Sequence, residues 1–374
     1  MIIALVLASA VARSPPRIAI ALSQPPSVRW KHIFTPENNE TLHLALRSIE
    51  QSSPLVARIL SLAAKVPLHT LRGWMPADQA AEAESIASLT SIPLGTLFAI
   101  NALYDLTASD KSASRACTSI LVQATNGSIT HGRNLDYILG APLRNLTRIV
   151  DWTSSNSLEG NGGPLFTSVG YLGQVGFNTV VRHGAWALTH DERDVGPATS
   201  NWLDLFIRRR TLTFAFIRQL ASTARTFDEA VSMATRTPLA APSYFVLSGT
   251  RPGEGVLITR SRDAASDVLR LDDQAGRWYL LETNYDHAKQ PAPHDDRRSV
   301  AMRGLQRLGR PATAVAAEAT LRALLGDNGH CNTSRGERPV LNSHTIYTAV
   351  VTPAHSVASL EVALRDPPAV DACD

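Results

Sequence analysis

The chain has 374 residues, 44% of them hydrophobic and 18% charged, the make-up of a globular protein with one large or two moderate cores. Its net charge of +3 is spread along the sequence, and the longest basic run, Arg208-Arg209-Arg210, follows an apolar helical stretch and reads as a solvated helix end. That pattern leaves no nucleic-acid footprint, and no apolar run reaches the ~18 residues that cross a bilayer.

Residues 1–12 are a short apolar stretch ending in the small-x-small pattern Ala10-Val11-Ala12 before Arg13, and read as a signal peptide without a basic leader; a buried first strand is the alternative. Residues 17–22 alternate briefly as an extended piece. Leu42, Leu46 and Ile49 then fall at helical spacing up to a break at Pro54. A second helix carries Leu55, Ile59 and Leu62, flanked by Val56, Leu60 and Ala63, an apolar stripe wide for a surface helix. Residues 80–89 and 94–106 are expected to be helical, the latter opening at Pro93.

Beyond Cys117 the texture changes to strands. They are expected at 118–124, 128–131, 165–169, 185–189, 244–248, 255–259, 278–282 and 345–351. Helices are expected at 202–220, at a capping box formed by Thr226 and Glu229 that stops before Pro238, and at 297–308 and 314–325. Residues 154–164 are loop-like, and no internal repeat is visible.

The first strand pair holds most of the functional information. Cys117-Thr118-Ser119-Ile120-Leu121 runs into Asn126-Gly127 and returns through His131-Gly132-Arg133-Asn134-Leu135-Asp136-Tyr137. An Asn-Gly pair between alternating runs predicts a two-residue hairpin turn, which sets Thr125 against Ser128 and Cys117 against Asp136. A thiol with a carboxylate and a guanidinium gathered at the end of its partner strand has the make-up of a nucleophile site; a buried structural thiol and a strand-end ion pair are the alternatives. Asn284, at a strand end, offers a neutral amide N–H or closes an Asx turn. His294 with Asp295 and Asp296 lacks the HExxH or paired CxxC spacing of a metal site, and there is no GxGxxG or phosphate loop, so no metal or cofactor is expected.

Cys331 and Cys373 are expected to bridge in an oxidising compartment, with two free thiols as the alternative. Sequons at Asn39, Asn126, Asn145 and Asn332 fit the same secretory route.

Six motifs in order extend this reading: Cys117-Thr118-Ser119-Ile120, the run from His131 to Tyr137, Asp191-Glu192-Arg193-Asp194, Glu282-Thr283-Asn284-Tyr285-Asp286-His287, Asp295-Asp296-Arg297-Arg298 and Thr345-Ile346-Tyr347-Thr348. Together they resemble the acid ceramidase and N-acylethanolamine-hydrolysing acid amidase family, and are closer to the amidase branch. The resemblance implies an α+β, four-layer αββα fold of the N-terminal-nucleophile hydrolases. It also implies self-cleavage before Cys117, which divides the chain into a helical prosegment, residues 13–116, kept as an α subunit, and a catalytic part, residues 117–374.

Cleavage would give Cys117 a free α-amine with an ordinary pKa near ~7.7–8.0, able to take the thiol proton and return it to a leaving group. By the same resemblance, Asp136 orients that amine, and Arg133 favours the thiolate and meets the substrate carbonyl. Asn284 then stabilises the oxyanion, and Glu192 and Arg297 belong to the site, with surface pairing as their alternative.

The substrate implied is a fatty acid amide, an N-acylethanolamine with ceramide as the alternative. The expected location is outside the cell or in an acidic lysosome- or vacuole-like compartment, with the apolar prosegment face docking on a membrane or micelle. The rivals are a bile-salt or penicillin acylase, against which the long prosegment speaks, and a non-enzymatic lipid-binding protein, against which the intact charged set speaks.

Overall fold

The computed structural model describes residues 13–65, 73–109, 117–154, 163–291, 295–329, 331–354, 360–365 and 373; the expected signal peptide, the junction before Cys117 and most of the 154–164 loop lie outside these residues. The described part of residues 13–116 is one strand and five helices: β1 (Arg17–Ala21), α1 (Pro36–Ser52), α2 (Pro54–Ala63), α3 (Ala77–Thr90), α4 (Leu94–Asn101) and α5 (Leu103–Thr107). Pro36 and Pro54 open α1 and α2, where a missing N–H costs nothing, and Thr35 and Ser53 cap the following N–H groups. The single helix expected at 94–106 is two, because the backbone breaks helical geometry at Ala102.

After Cys117 come β2 (Thr118–Gln123), β3 (Ile129–Asp136), α6 (Gly140–Leu146), β4 (Thr147–Thr153), β5 (Phe166–Tyr171), β6 (Thr179–Arg182) and β7 (Trp186–Glu192). Next are α7 (Ala198–Phe206), α8 (Thr213–Thr223), α9 (Phe227–Arg236), β8 (Ser243–Gly249), β9 (Gly255–Arg260), β10 (Ala265–Arg270) and β11 (Tyr279–Glu282). The chain closes with α10 (Arg297–Leu308), α11 (Ala314–Leu325), β12 (Thr345–Val351) and β13 (Leu360–Leu364). The helix expected at 202–220 is split into α7 and α8 at the arginine run, where Arg209 takes a φ of +53°. The capping box on α9 forms as the sequence indicates.

The strands make two sheets. One runs β1-β4-β5-β6-β7-β8-β9-β10, the other β11-β2-β3-β12-β13. Ser119 Oγ on β2 meets Thr189 Oγ1 on β7 at 2.8 Å, so the sheets stack face to face. On the outer side of the smaller sheet, Ile120, Val122 and Val350 pack with Val300 and Leu305 of α10 and Leu321 and Leu324 of α11. On the outer side of the larger sheet, Trp186 Nε1 donates to Ala224 O beyond α8, and Phe216 stacks on Phe245. The result is the αββα layering that the sequence motifs imply.

The segment before Cys117 is woven into this frame. β1 pairs in parallel with β4 at the edge of the larger sheet, and the backbone of Arg13 accepts from Leu364 N of β13 in the smaller one. Glu82 of α3, buried, accepts from Arg29 Nη1 at 2.6 Å, Trp30 Nε1 at 2.7 Å and both terminal nitrogens of Arg218 of α8. Arg218 in turn stacks over Trp152, 4.2 Å from the ring centroid. The arginines hold the Glu82 carboxyl below its ordinary pKa despite burial. Cys331 and Cys373 form the expected disulfide.

Candidate active site

The hairpin that presents Cys117 turns through a loop one residue longer than expected. Gly127, at φ +86°, is the left-handed residue of a three-residue loop, Thr125-Asn126-Gly127, closed by Ala124 N donating to Ser128 O at 2.9 Å. Asn126 keeps a negative φ and uses its side-chain oxygen to accept from Ser128 N and Ser128 Oγ. The register therefore pairs Thr118 with Asn134 and Ser119 with Arg133, one step from the predicted pairing of Cys117 with Asp136. Asp136 still reaches Cys117, because its backbone hydrogen-bonds the thiol. Asp136 lies where the β3–β12 ladder breaks register, between Thr345 and Tyr347.

Cys117 is 3% exposed and sits just ahead of β2. Burial pushes its thiol up to about 12; Arg133 pulls it down, while Asp191 and Asp136 add to the rise. Arg133, on the same face as Ser119, donates from Nη1 to Thr179 Oγ1 at 3.0 Å and from Nη2 to Asp191 Oδ1 at 3.4 Å. Asp136 accepts from Asn342 Nδ2 at 2.8 Å, and burial raises its carboxyl to about 6 against the pull of Arg297 at 3.8 Å.

Arg297 opens α10 and is 1% exposed. Its Nη1 donates to the carbonyl of Cys117 and to Thr118 Oγ1 at 2.9 Å. Its Nη2 donates to Asn284 Oδ1 at 3.1 Å, and Asp295 clamps the guanidinium at 2.7 and 3.1 Å. Asn284 closes β11 with a φ of +73°, a conformation that asparagine tolerates better than most residues, and its Nδ2 donates to Glu192 O at 2.9 Å.

The structure thus gathers Cys117, Arg133, Asp136, Asn284 and Arg297. Glu192 joins them through its backbone; its side chain turns the other way, accepting from Ser109 N at 3.4 Å. The inward carboxylate on β7 is its neighbour Asp191, which alternation along the strand places on the site face. Asp191, Asn342 and Thr345 were missed in the sequence, although Asp191 and Thr345 lie within quoted motifs. Among the described residues no group of acidic, His or Cys side chains could hold a metal ion.

Next to this cluster lies an apolar cavity lined by Leu42, Leu46, Val56 and Leu60 from before Cys117 and by Tyr137 and Tyr171 from after it. Tyr171 links the two, since its buried phenol, pushed up by desolvation, also feels Arg133 and Cys117. A separate apolar groove on the surface is lined by Ile59, Leu62, Trp74, Phe98, Trp202 and Phe206.

No family model matches the sequence. The chain is 30% identical to the N-acylethanolamine-hydrolyzing acid amidase of Cavia porcellus over 341 residues, 91% of this chain and 88% of that one. It is 30% identical to the acid ceramidase of Heterocephalus glaber over 94% of its length and 87% of the relative's. A solved structure of the Caenorhabditis elegans N-acylethanolamine-hydrolyzing acid amidase ortholog superposes with a TM-score of 0.55 and 29% identity, covering 66% of this chain and 99% of that one. On these matches and the αββα frame of the N-terminal-nucleophile hydrolases, the chain belongs to the family of N-acylethanolamine-hydrolyzing acid amidases and acid ceramidases.

Proposed function

We propose that the protein is a self-processing lipid amidase that hydrolyses N-acylethanolamines to fatty acid and amine through a thioester on Cys117. The observation that carries this reading is the cluster itself: one thiol at a strand start, with Arg133, Asp136, Asn284 and Arg297 fixed around it. The relatives' names supply the amide and the acyl group, and the apolar cavity beside Tyr171 supplies room for a chain.

In the proposed precursor the thiol is buried and protonated. Attack of Cys117 Sγ on the carbonyl of residue 116 forms a thioester as the 116–117 C–N bond breaks and the nitrogen takes the thiol proton, which frees the α-amine; water then hydrolyses the thioester to the carboxylic acid of residue 116 and the free thiol. This divides the chain into residues 13–116, held as an α subunit, and 117–374. The solved relative, matched over 99% of a chain that covers 66% of this one, has a length close to the second piece, in keeping with such a division.

In turnover the α-amine takes the thiol proton as Sγ attacks the acyl carbon. The oxyanion is met by Asn284 Nδ2, with Arg133 beside it. The C–N bond breaks as the α-ammonium protonates the leaving amine. Water then attacks the thioester, the amine taking its proton, and the fatty acid leaves with the thiol restored. Asp136 orients the amine, Arg297 fixes the Cys117 carbonyl and Asn284 together, and Glu192 holds Asn284 through its carbonyl while its side chain steadies the junction near Ser109.

The reading extends to a membrane or micelle surface as docking partner and to an acidic or extracellular compartment. No described helix is long and apolar enough to cross a membrane. The docking patch is Leu62 of α2 with Trp202, Leu203, Phe206 and Ile207, all exposed, beside Arg208 and Arg209. The test is hydrolysis of an N-acylethanolamine and a ceramide in parallel by protein whose N-terminal sequences have been read. A mature chain starting at Cys117 with preference for the acylethanolamine is expected; activity in an uncleaved chain overturns the mechanism, and ceramide preference moves the protein to the other branch.

A further inference from the structure

We propose that Asp191 is a second carboxylate of the reaction centre, a positioning residue that acts through Arg133 to set the charge facing the Cys117 thiol. The inference rests on the reading of Cys117 as nucleophile. Asp191 lies on β7, one residue before Glu192, and points into the gap between the sheets. Both Asp191 and Arg133 are fully buried, and their one contact, Nη2 to Oδ1, is long at 3.4 Å. A pair serving only to fill the core would be expected to close bidentate and short. Instead Asp191 Oδ2, Arg133 Nε and Asp136 Oδ1 are buried without hydrogen-bond partners among the described residues. Such open polar atoms are costly unless a later state of the site uses them.

The carboxylate is held from behind. The Ser119 hydroxyl hydrogen-bonds Asp191, and from Ser119 a line of side chains runs through Thr189 Oγ1 at 2.8 Å and His131 Nε2 at 2.9 Å to Ser248 Oγ at 3.2 Å. Burial and the nearby Arg133 push His131 down to about 3, so it is neutral and serves here as a spacer. This line crosses from one sheet to the other and locks Asp191 against Arg133.

The groups facing the thiol are Arg133 of β3, Asp136 at its end, Asp191 of β7, Tyr171 of β5, Tyr347 of β12 and Arg297 of α10. Among the charges acting on the sulfur, Arg133 is first and Asp191 second, ahead of Asp136. Arg133 favours the thiolate and Asp191, held beside it, opposes it, so the charge that the sulfur meets is set by the pair.

The full chain, activated until its hydrolysis rate is constant, is alkylated with iodoacetamide across a pH series. Loss of hydrolysis in step with alkylation of Cys117 must come first; if alkylated Cys117 leaves turnover intact, the nucleophile reading itself fails, separately from this inference. In Asp191→Asn the midpoint of alkylation is expected to move down by about one pH unit, as removal of a like charge dictates. An unchanged or raised midpoint in folded protein overturns the proposal. Asp191→Ser carries the same test should Asp191→Asn not fold. Failure of both to fold, while Ser119→Ala folds, makes Asp191 a structural residue and also overturns it.

Discussion

Arg297 donates to the backbone carbonyl of Cys117 with one nitrogen and to the side chain of Asn284 with the other, so the proposed nucleophile and the proposed oxyanion donor are set by one guanidinium. Asp295 holds that guanidinium from the opposite edge. Loss of Arg297 therefore frees two groups at once. Arg297→Lys, which keeps the charge and loses the fork, is expected to lower kcat by about 10²-fold, nearer to a lost oxyanion donor than to a lost surface pair. A variant with wild-type kcat would return Arg297 to a structural role.

Cys117→Ala is expected to stay a single chain without hydrolysis, and Cys117→Ser to cleave slowly. N-terminal sequencing and intact mass read both outcomes. An active chain with residue 116 still attached would remove the α-amine from the mechanism.

Asn284 can be dissected because its backbone is unusual. Asn284→Gly accepts the φ of +73° without strain and is expected to keep its Tm while losing about 10²–10³ in turnover. Asn284→Ala should lose the same activity and a further ~1–2 kcal/mol of stability, because a Cβ in the left-handed region is penalised. Equal turnover in Asn284→Gly and wild type would make the side chain a turn element.

Stability should fall as pH rises. Burial raises Asp136 to about 6 and Glu282 to about 8, and raises Asp191 as well. Each is raised above its unfolded value near ~4, so its contribution is complete below that value and is lost as pH climbs through the folded one. Tm is thus expected to decline between about pH 4 and about pH 8. Glu82 and Asp286 run the opposite way, and their contributions are lost only below about pH 4. A Tm that rises steadily from acid to neutral pH would contradict the burial of the first three carboxyls.

Docking can be tested because α2 has one face in the core and one on the surface. Val56 and Leu60, both 2% exposed, are core, so Val56→Asp is expected to unfold the helices before Cys117. Leu62 and Ile207, 55% and 73% exposed, are the surface pair. Leu62→Asp with Ile207→Asp should leave Tm and hydrolysis of a short soluble amide intact and weaken liposome binding and micellar hydrolysis. Equal loss on both substrates would dismiss docking at this patch.

The sequence carried the hairpin because its signals are local, but Asn-Gly serves both a two-residue turn and a three-residue loop. Only the ladder chose between them, and the register moved by one. The apolar stripe of α2 was visible, yet which part faces the core was set by distant neighbours, Leu42 and Tyr171 among them. Asp191 meets Arg133 across 58 residues, and Asn342 meets Asp136 across 206. No local period marks such contacts. β4, β6, β10 and β13 were missed for a related reason: each is defined by the strand it pairs with more than by its own pattern.

The pairing of β1 with β4 changes what separation of the two proposed pieces means. An edge strand cannot leave its sheet, nor Glu82 of the first piece Arg218 of the second, without exposing the core beneath, so parting the pieces is an act of unfolding rather than of simple dissociation. Because unfolding of the cleaved protein releases two chains, dilution should lower its melting temperature, while below that temperature the pieces stay together.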